Sequence, residues 1–389
     1  LGFAGCLVLV GEEPVFPYQR PPLSKKYLAG AWGLDRVLLK PEGFYSEMHV
    51  EAHLGRRASA IDRAARRVTL STGETLAYDK LLIATGTRPR TLTCPGADLP
   101  GIHYLRNLQD VDAIRRQFKP GAKLAIIGGG YIGLEVAAVA STAGLAVSVV
   151  EMAERCLARV VAPEVSTFFE SEHRKAGIAI YTGERVAACE GNGKLERIRC
   201  TSGRVIDADI AVAGIGVLPN QELAADAGLT CNDGIVVDEM ALTNDPAIAA
   251  AGDCANFPNR LYGRRIRLES VQNAIEQAKT AAAALMGKPE PYDQVPWFWS
   301  DQFDLKLQIA GLNTGYDQVV IRGAPTERRF AAFYLKAGQL IAVDAVNSPA
   351  EYMTCLKQLI PARAMIAPER LADMGLSMKE IAAAAAKPD

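Results

Sequence analysis

The stretch formed by residues 123–151 constrains the fold of this chain more than any other. A short apolar run meets Gly128, Gly130 and Gly133 in G-x-G-x-x-G spacing, and an alanine-rich run of helical character follows. A second apolar run, residues 146–150, ends at Glu151. The order strand, glycine turn, helix, strand and terminal acid is typical of a dinucleotide-binding unit. The alternative interpretation is a glycine-rich turn in an ordinary α/β unit.

Each part of this motif has a chemical reason. Gly128 permits the tight turn, Gly130 lets a pyrophosphate approach the backbone, and Gly133 lets the helix pack closely on the strand. The phosphates are expected at the helix N-terminus, where free N–H groups and the helix dipole favour anions. Glu151 is placed to bind both hydroxyls of the adenosine ribose.

The same acid bears on the choice of nicotinamide nucleotide. A carboxylate at Glu151 repels the 2′-phosphate of NADP, and no arginine follows it directly, so NADH is favoured over NADPH. Arg155 and Arg159 lie close enough in sequence to leave the alternative open. Arg159 is expected either to contact the NAD adenylate or to face solvent.

Composition narrows the function classes. The 389 residues predict two or three domains, and 43 basic against 44 acidic residues give no sign of a nucleic-acid partner. No apolar run reaches the roughly 18 residues that a membrane span requires. The eight cysteines contain no C-x-x-C pair and no metal-binding spacing, which favours reduced thiols in a cytoplasmic protein and no metal site.

Other segments show how the chain is organised. Its first residues read as the second half of a strand–helix–strand unit, with a strand that ends near Glu12, so we expect a preceding segment in the native protein. A hairpin is predicted over residues 67–78, a strand over 81–83 and a long helix over 269–287. The C-terminal part alternates short β-type runs at residues 305–310, 318–322, 330–336 and 340–346, and a helical tail follows whose alanine run at 382–386 is expected to be a frayed helix end.

Several further motifs together resemble one family. They are Glu12, RPPLSK (20–25), ATG-x-R-P (84–89), GGGYIGLE (128–135), GIGVLPN (214–220), GDC (252–254), ESVQNA (269–274) and WFWSDQ (297–302). The set resembles the FAD-dependent, putidaredoxin reductase-like ferredoxin reductases of bacterial oxygenase systems, and more distantly apoptosis-inducing factor. The resemblance runs along the whole chain. Members of this family carry a first G-x-G-x-x-G before the position of Leu1, and this sequence has none there.

The resemblance implies an α/β fold. Two Rossmann-like dinucleotide-binding domains lie back to back on a glutathione-reductase-like plan, and a C-terminal α+β domain follows. The implied bounds are 1–108 and 245–292 for the FAD-binding domain, 109–244 for the NAD-binding domain and 293–389 for the C-terminal domain.

The resemblance also implies roles for individual residues. Lys25 is expected near flavin N5, Glu135 is expected to pair with it, and Trp299 is expected near the stacked nicotinamide; these three are the catalytic candidates. The candidates for binding FAD are Glu12, Arg20, Lys25, Arg106, Asp253 and Val271. The candidates for binding NAD are Gly128, Gly130, Ile132, Gly133, Glu151, Arg159, Gly216 and Glu269.

Less specific interpretations of these residues stay open. Lys25 and Glu135 are alternatively a surface pair, and Asp253 alternatively caps a turn. Trp297 and Trp299 alternate on a predicted strand, so one of them is alternatively a core residue. The N-terminus of the helix predicted from Glu269 is a further candidate for stabilising negative charge on a reduced flavin.

The absence of a redox-active cysteine pair bears on where electrons leave. A thiol relay is disfavoured, so we expect direct transfer from flavin to a [2Fe–2S] ferredoxin that feeds a haem monooxygenase or a Rieske-type oxygenase. Because ferredoxins are usually acidic, a transient basic docking face is expected, either at Lys40, Lys279 and Lys306 or at the cluster Arg56, Arg57, Arg63, Arg66 and Arg67. The alternatives are an NADH oxidase, a rubredoxin reductase, or a redox-controlled interaction protein. A monomer or weak homodimer is expected, without nucleic-acid or membrane partners.

Overall fold

The computed structural model describes residues 2–385. Leu1 and residues 386–389, which include the end of the predicted 382–386 run, lie outside the described residues. The chain divides into two compact units. The first unit comprises the chain up to Arg20, Gly33–Arg88 and Val217–Gln294, and the second comprises Pro21–Trp32, Pro89–Gly216 and the chain from Val295 onward. Among residues 2–385, no helix has both the length and the apolar character needed to cross a bilayer.

The first unit is built from several small sheets. Leu7–Gly11 pairs in parallel with Val50–Leu54, and Leu81–Ile83 pairs in parallel with Ile248–Ala250. The predicted hairpin is confirmed, because Arg67–Leu70 and Thr75–Ala77 are antiparallel neighbours. The remaining strands are Ala58–Asp62, Val217–Pro219, Ile235–Val236, Ala255–Asn259 and Arg264–Ile266, and the helices are Leu34–Val37, Glu42–Glu47, Glu222–Asp226, the 3₁₀ turn Gly252–Cys254 and Val271–Leu285. The strand Thr87–Pro89 carries the chain into the second unit.

The centre of the second unit is a five-stranded parallel sheet. Its strand order is Ala179–Tyr181, Ala146–Val150, Lys123–Ile127, Ile210–Ala213 and Ile102–Tyr104. All four residues of Ile210–Ala213 are buried, as expected for a central parallel strand that is covered on both faces. The same unit contains the helices Leu108–Arg115, Tyr131–Thr142 and Pro163–Lys175, the 3₁₀ turn Pro21–Ser24, and a three-stranded antiparallel sheet of Val186–Glu190, Arg197–Cys200 and Val205–Asp207.

The C-terminal part of the second unit is a five-stranded antiparallel sheet. Its strand order is Trp297–Gln302, Leu305–Gly311, Gln339–Val346, Arg329–Lys336 and Gln318–Ala324, so the four predicted β-type runs are confirmed as strands. Its core is apolar and dense, with Phe330, Phe333 and Val343 essentially inaccessible to solvent. The helical tail consists of Pro349–Thr354, the π-helical turn Cys355–Leu359, Pro368–Ala372 and Met378–Ala385.

Candidate functional site

The glycine turn after Lys123–Ile127 has the backbone that the sequence predicts. Gly128 has φ +106°, and a Cβ there would lie 2.4 Å from the Gly214 carbonyl oxygen. A Cβ on Gly133 would lie 2.1 Å from the carbonyl oxygen of Gly128, so the helix reaches the strand only because this residue is glycine. At Gly130, by contrast, a Cβ would meet nothing within 4 Å. The turn therefore opens at the start of the Tyr131–Thr142 helix, which has no side-chain cap, and this arrangement fits a pyrophosphate.

Glu151 follows the strand Ala146–Val150 directly and is held at the same edge of the sheet. One carboxylate oxygen accepts the Gly129 N–H at 2.6 Å, and the other accepts the Ala153 N–H at 2.7 Å. Each carboxylate oxygen retains a lone pair that can accept a further hydrogen bond. The two carboxylate oxygens can therefore accept hydrogen bonds from the two hydroxyls of a ribose beside the glycine turn.

The two arginines that follow Glu151 differ in their surroundings. Arg155 donates to the carbonyl oxygens of Val161 at 2.9 Å and Ala158 at 3.0 Å, so its guanidinium is engaged within its own loop. Arg159 is exposed, and its side chain forms no hydrogen bond or ion pair within the described residues. Of the two cations, Arg159 is thus the one available to a nucleotide.

The other predicted NAD-binding residues have varied positions. Ile132 is exposed in the first turn of the Tyr131–Thr142 helix, and Gly216 has φ +99°, with its carbonyl oxygen accepting the Arg90 N–H at 2.9 Å. Both lie in the second unit. Glu269 lies in the first unit and accepts a hydrogen bond from Arg267 at 2.9 Å.

Lys25 and Glu135 form a buried ion pair, as predicted. Lys25 Nζ lies 2.6 Å from Glu135 Oε2, and the two side chains are 17% and 3% exposed. The surface-pair alternative is therefore wrong. Pro21–Ser24 forms a 3₁₀ turn that delivers the lysine, and Glu135 is buried on the Tyr131–Thr142 helix.

Two serines complete the surroundings of Glu135, and sequence reasoning missed both. Ser24 Oγ donates to Oε2 at 2.5 Å, and Ser300 Oγ donates to Oε1 at 2.6 Å. Their positions inside RPPLSK and WFWSDQ, the two most specific motifs of the chain, were the sequence features that could have identified them as site residues. A carboxylate with a cation and two hydroxyl donors is well compensated for its burial.

A chain of buried polar groups continues from Ser300. Gln302 Nε2 donates to Ser300 Oγ at 3.2 Å, and Gln302 Oε1 lies 2.8 Å from His173 Nε2. Burial lowers the pKa of His173, and its Nδ1 has no partner among the described residues. The imidazole is therefore neutral near pH 7 and serves as the inner end of the chain.

Trp299 and Arg106 also lie in the second unit. Trp299 is half-buried on Trp297–Gln302, with its ring 5.7 Å from that of Trp297, while Phe298 on the other face packs 4.8 Å from Tyr131. Both tryptophans are partly exposed, so the structure does not make either one a core residue. The Arg106 N–H donates to Asp110 at 2.9 Å, just before the Leu108–Arg115 helix.

The first unit holds the other predicted flavin residues. Glu12 follows Leu7–Gly11 with 72% of its side chain exposed, 3.9 Å from Arg57, and Arg20 is held by Glu13 at 2.7 Å. Asp253 lies on the turn Gly252–Cys254 and accepts a hydrogen bond from Thr87 at 3.3 Å. Val271 opens the helix Val271–Leu285, which Ser270 caps by accepting the Asn273 N–H at 3.2 Å.

Several buried polar atoms near the start of that helix lack hydrogen-bond partners, which is consistent with the binding of a polar group there. Gln272 Oε1, Asn273 Oδ1 and Gln277 Nε2 are buried and have no hydrogen-bond partner among the described residues. Buried polar atoms are normally paired. With Asp253 on the neighbouring turn, whose Gly252 N–H donates to Gln277 at 2.9 Å, this donor and acceptor set fits the polar parts of a flavin.

Comparisons with known proteins identify the family of this chain. Residues 3–281 match the family model described as pyridine nucleotide-disulphide oxidoreductase, and residues 297–382 match the one described as reductase C-terminal. Putidaredoxin reductase CamA of Pseudomonas putida is 43% identical over 99% of this chain and 92% of its own length. The 5,5′-dehydrodivanillate O-demethylase ferredoxin reductase subunit of Sphingobium sp. is 42% identical over 99% of this chain and 94% of its own.

A solved structure gives the same result. The crystal structure of the covalent putidaredoxin reductase–putidaredoxin complex superposes with a TM-score of 0.95 and 43% identity, over 99% of this chain and 93% of that one. This match confirms the predicted fold class. The chain belongs to the pyridine nucleotide-disulphide oxidoreductase family and, within it, to the putidaredoxin reductase-like ferredoxin reductases that use FAD and NADH.

Proposed function

We propose that this enzyme passes electrons from NADH, through FAD, to a [2Fe–2S] ferredoxin that feeds a haem monooxygenase or a Rieske-type oxygenase. The class of enzyme, a flavoprotein ferredoxin reductase, follows from family membership. The cluster type, the oxygenase and the site residues are our proposal. The observation that carries it is the glycine turn with Glu151 fixed beside it by two backbone N–H groups, in a chain that matches its relatives over nearly their full length.

We assign the nicotinamide nucleotide to this turn. The backbone at Gly128, Gly130 and Gly133 holds the pyrophosphate, and Glu151 accepts from the adenosine ribose. Arg155 is engaged with two carbonyl groups and so does not attract a 2′-phosphate, while the Glu151 carboxylate repels one. Both features favour NADH over NADPH.

We assign the flavin to the second set of residues. When bound, FAD accepts a hydride from the nicotinamide and releases two electrons singly. Asp253 and the Val271 backbone bind it, with Glu12, Arg20 and Arg106 as further contacts. The role of Lys25 is to hold a fixed positive charge and hydrogen-bond donor near N5, and Glu135 orients that ammonium group. Trp299 and Glu269 are proposed beside the nicotinamide.

The proposed outlet is direct. The sequence contains no C-x-x-C or C-x-x-x-x-C pair, so electrons have no thiol relay to use. For an acidic ferredoxin, Lys40 and Lys306 are the stronger docking candidates, because no ion pair is recorded for either within residues 2–385. Lys279 pairs with Glu276 at 2.8 Å. Three members of the arginine cluster are also ion-paired, Arg56 with Glu74 at 3.1 Å, Arg57 with Glu12 at 3.9 Å and Arg63 with Asp245 at 2.9 Å.

We further propose a cytoplasmic location and a monomer or weak homodimer. The eight free cysteines suit a reducing compartment. The partner contact is proposed to be transient and electrostatic, so ferredoxin-dependent turnover should fall steeply with added salt while turnover with ferricyanide barely changes.

An absorption spectrum before and after anaerobic NADH tests the proposal. Flavin bands that NADH bleaches far faster than NADPH support it, and a colourless protein that gains no flavin bands with added FAD contradicts it. The reduced protein is then offered a [2Fe–2S] ferredoxin, a rubredoxin and oxygen in parallel. Fastest transfer to rubredoxin or oxygen favours a rubredoxin reductase or an NADH oxidase. Slow transfer to all three, with a long-lived NADH charge-transfer complex, favours a redox-controlled interaction protein.

A further inference from the structure

The loop formed by residues 152–162, which we call the nucleotide loop, links Glu151 to the helix Pro163–Lys175. It closes on the glycine turn, because the Leu157 N–H donates to the Gly129 carbonyl oxygen at 2.9 Å. Leu157 has φ +56°, an uncommon conformation for a branched residue, so the surroundings of the loop must hold it there. Arg155 contributes to this by donating to two carbonyl oxygens of the loop.

Two side chains of the C-terminal sheet hold the far end of the nucleotide loop. The Tyr334 hydroxyl accepts the Ala162 N–H at 2.7 Å, and Asn313 Nδ2 donates to the Val160 carbonyl oxygen at 3.0 Å. Tyr334 and Ala162 are fully buried, so no solvent molecule replaces the first bond easily.

The orientation of the Tyr334 hydroxyl is itself fixed. Tyr334 pairs with Ala342 across the antiparallel ladder, and Asp344 pairs with Ala332, which places Tyr334 and Asp344 diagonally on one face of the sheet. The hydroxyl donates its proton to Asp344 Oδ2 and is thereby left with its lone pairs toward the Ala162 N–H. The C-terminal sheet thus offers the loop a preoriented acceptor.

We infer that Tyr334 and Asn313 are positioning residues for the adenosine half of NADH, acting through the nucleotide loop. The inference rests on the proposed placement of that nucleotide at Glu151 and the glycine turn. Arg159 lies between the bond at Leu157 and the bonds at Val160 and Ala162, so its backbone is fixed on both sides. The inference places the Arg159 guanidinium against the adenylate of NADH. Loss of either C-terminal bond frees this segment and so weakens that contact.

Binding of ADP-ribose, which keeps the adenosine, the pyrophosphate and the second ribose but lacks the nicotinamide ring, tests this inference by calorimetry on the flavin-saturated protein. Tyr334→Phe and Asn313→Ala are each expected to weaken ADP-ribose binding about fivefold or more, since each loses one hydrogen bond that fixes the loop. Tyr316→Phe is the matched control, because the Tyr316 ring lies only 5.1 Å from that of Tyr334 and, within the described residues, Tyr316 forms no hydrogen bond to the nucleotide loop. It should bind ADP-ribose within about twofold of the wild type.

A second ligand separates positioning from general damage. Flavin reduction by reduced nicotinamide mononucleotide, which lacks the adenosine half, should proceed in all three variants at the wild-type rate. In Arg159→Ala, the further substitution Tyr334→Phe should change ADP-ribose binding much less than it does alone, because the two residues act through one contact.

Three results would overturn the inference: unchanged ADP-ribose binding in both Tyr334→Phe and Asn313→Ala, equal losses with both ligands, or additive effects with Arg159→Ala. Should Tyr334→Phe not fold, the partly exposed Asn313→Ala decides by the same criteria. A wild-type protein that binds no ADP-ribose contradicts the proposed nucleotide site itself, which distinguishes that failure from a failure of the positioning role.

Discussion

The two buried carboxylates Glu135 and Asp344, both in the second unit, differ in the partners that compensate for their burial. Glu135, 3% exposed, is surrounded by the Lys25 ammonium and the hydroxyls of Ser24 and Ser300. Asp344, 1% exposed, receives the Tyr334 hydroxyl, and no cation pairs with it within residues 2–385. Burial accordingly raises the pKa of Asp344 from 3.8 to about 7. A sheltered carboxylate is thus either compensated by partners or becomes easier to protonate.

The difference in hydrogen-bonding and ion-pair partners indicates that Glu135, rather than Asp344, has a positioning role in the site. Three groups from two separate segments of the chain converge on Glu135, and such convergence fixes the position of the Lys25 ammonium to within a narrow range. Within the described part of the chain, the Asp344 carboxyl is hydrogen-bonded only to the hydroxyl of Tyr334. The effects of substitutions at the two sites on the free energy of unfolding should therefore differ in size and in their dependence on pH.

The largest effect is expected from Lys25→Met, which leaves Glu135 buried without its cation. We expect a loss of about 3–5 kcal/mol in the free energy of unfolding and flavin reduction by NADH at least about tenfold slower. The double variant Lys25→Met/Glu135→Gln should recover most of the stability but not the rate, since no charge then remains buried.

Urea denaturation at two FAD concentrations measures the stability term and separates it from weakened flavin binding. Lys26→Met is the matched control, because Lys26 is the exposed neighbour, lies over the Trp32 ring at 4.8 Å and forms no ion pair within residues 2–385. A Lys25→Met variant as stable as Lys26→Met, with an unchanged reduction rate, would contradict the proposed importance of the pair.

The second prediction concerns Asp344→Asn, which should stabilise the protein at about pH 8. Because the folded-state pKa is raised, the folded protein binds this proton more tightly than the unfolded chain. The contribution of Asp344 to wild-type stability then falls as the pH rises from about 4 to about 7 and is level above. Asparagine removes this slope and can still accept from Tyr334, for a gain of at most about 4 kcal/mol at pH 8.

Unfolding free energies of both proteins across this pH range test the prediction, with the exposed Asp317→Asn as the control. The difference between Asp344→Asn and wild type should grow with pH. A difference that stays constant from about pH 5 to about pH 8 would show that the Asp344 carboxyl does not titrate in this window.

The third prediction separates the two hydroxyl donors of Glu135. Ser24→Ala and Ser300→Ala should each cost about 1–2 kcal/mol of stability, because each leaves a buried carboxylate oxygen with one donor fewer. Ser300→Ala should also weaken the position of Gln302, so its cost should be the greater. In a Glu135→Gln background both costs should shrink, and costs that do not shrink would assign the serines to packing alone.

Features set by local sequence were predicted more fully than contacts between distant residues. The glycine turn, the position of Glu151 at the end of its strand and the four C-terminal strands follow from short local patterns, and all are confirmed. The Lys25–Glu135 pair was predicted only through the family motifs, since the partners lie 110 residues apart in the sequence. Ser300 meets Glu135 across 165 residues.

Other features of the site depend on tertiary structure in the same way. Arg155 donates to carbonyl oxygens of its own loop, in which Leu157 has a left-handed backbone conformation. Neither feature can be predicted from the spacing of residues in the sequence. In the sequence, Asp344 is a single polar residue within an apolar run. Its position beside Tyr334 follows only from the register of the two strands. Such contacts are set by tertiary packing, which local propensity does not encode.

The smallest effect is expected at His173, the inner end of the chain that begins at Glu135. Burial lowers the pKa of His173, so the unfolded chain binds this proton more tightly than the folded protein does. Stability is full above the unfolded value of 6.5 and is lost as the pH falls below it, opposite in sign to the effect of Asp344. His173→Gln should flatten this acid limb while leaving stability near pH 8 almost unchanged. The exposed His49→Gln is the control, and an acid limb equally steep in both variants would mean that His173 is not the group responsible.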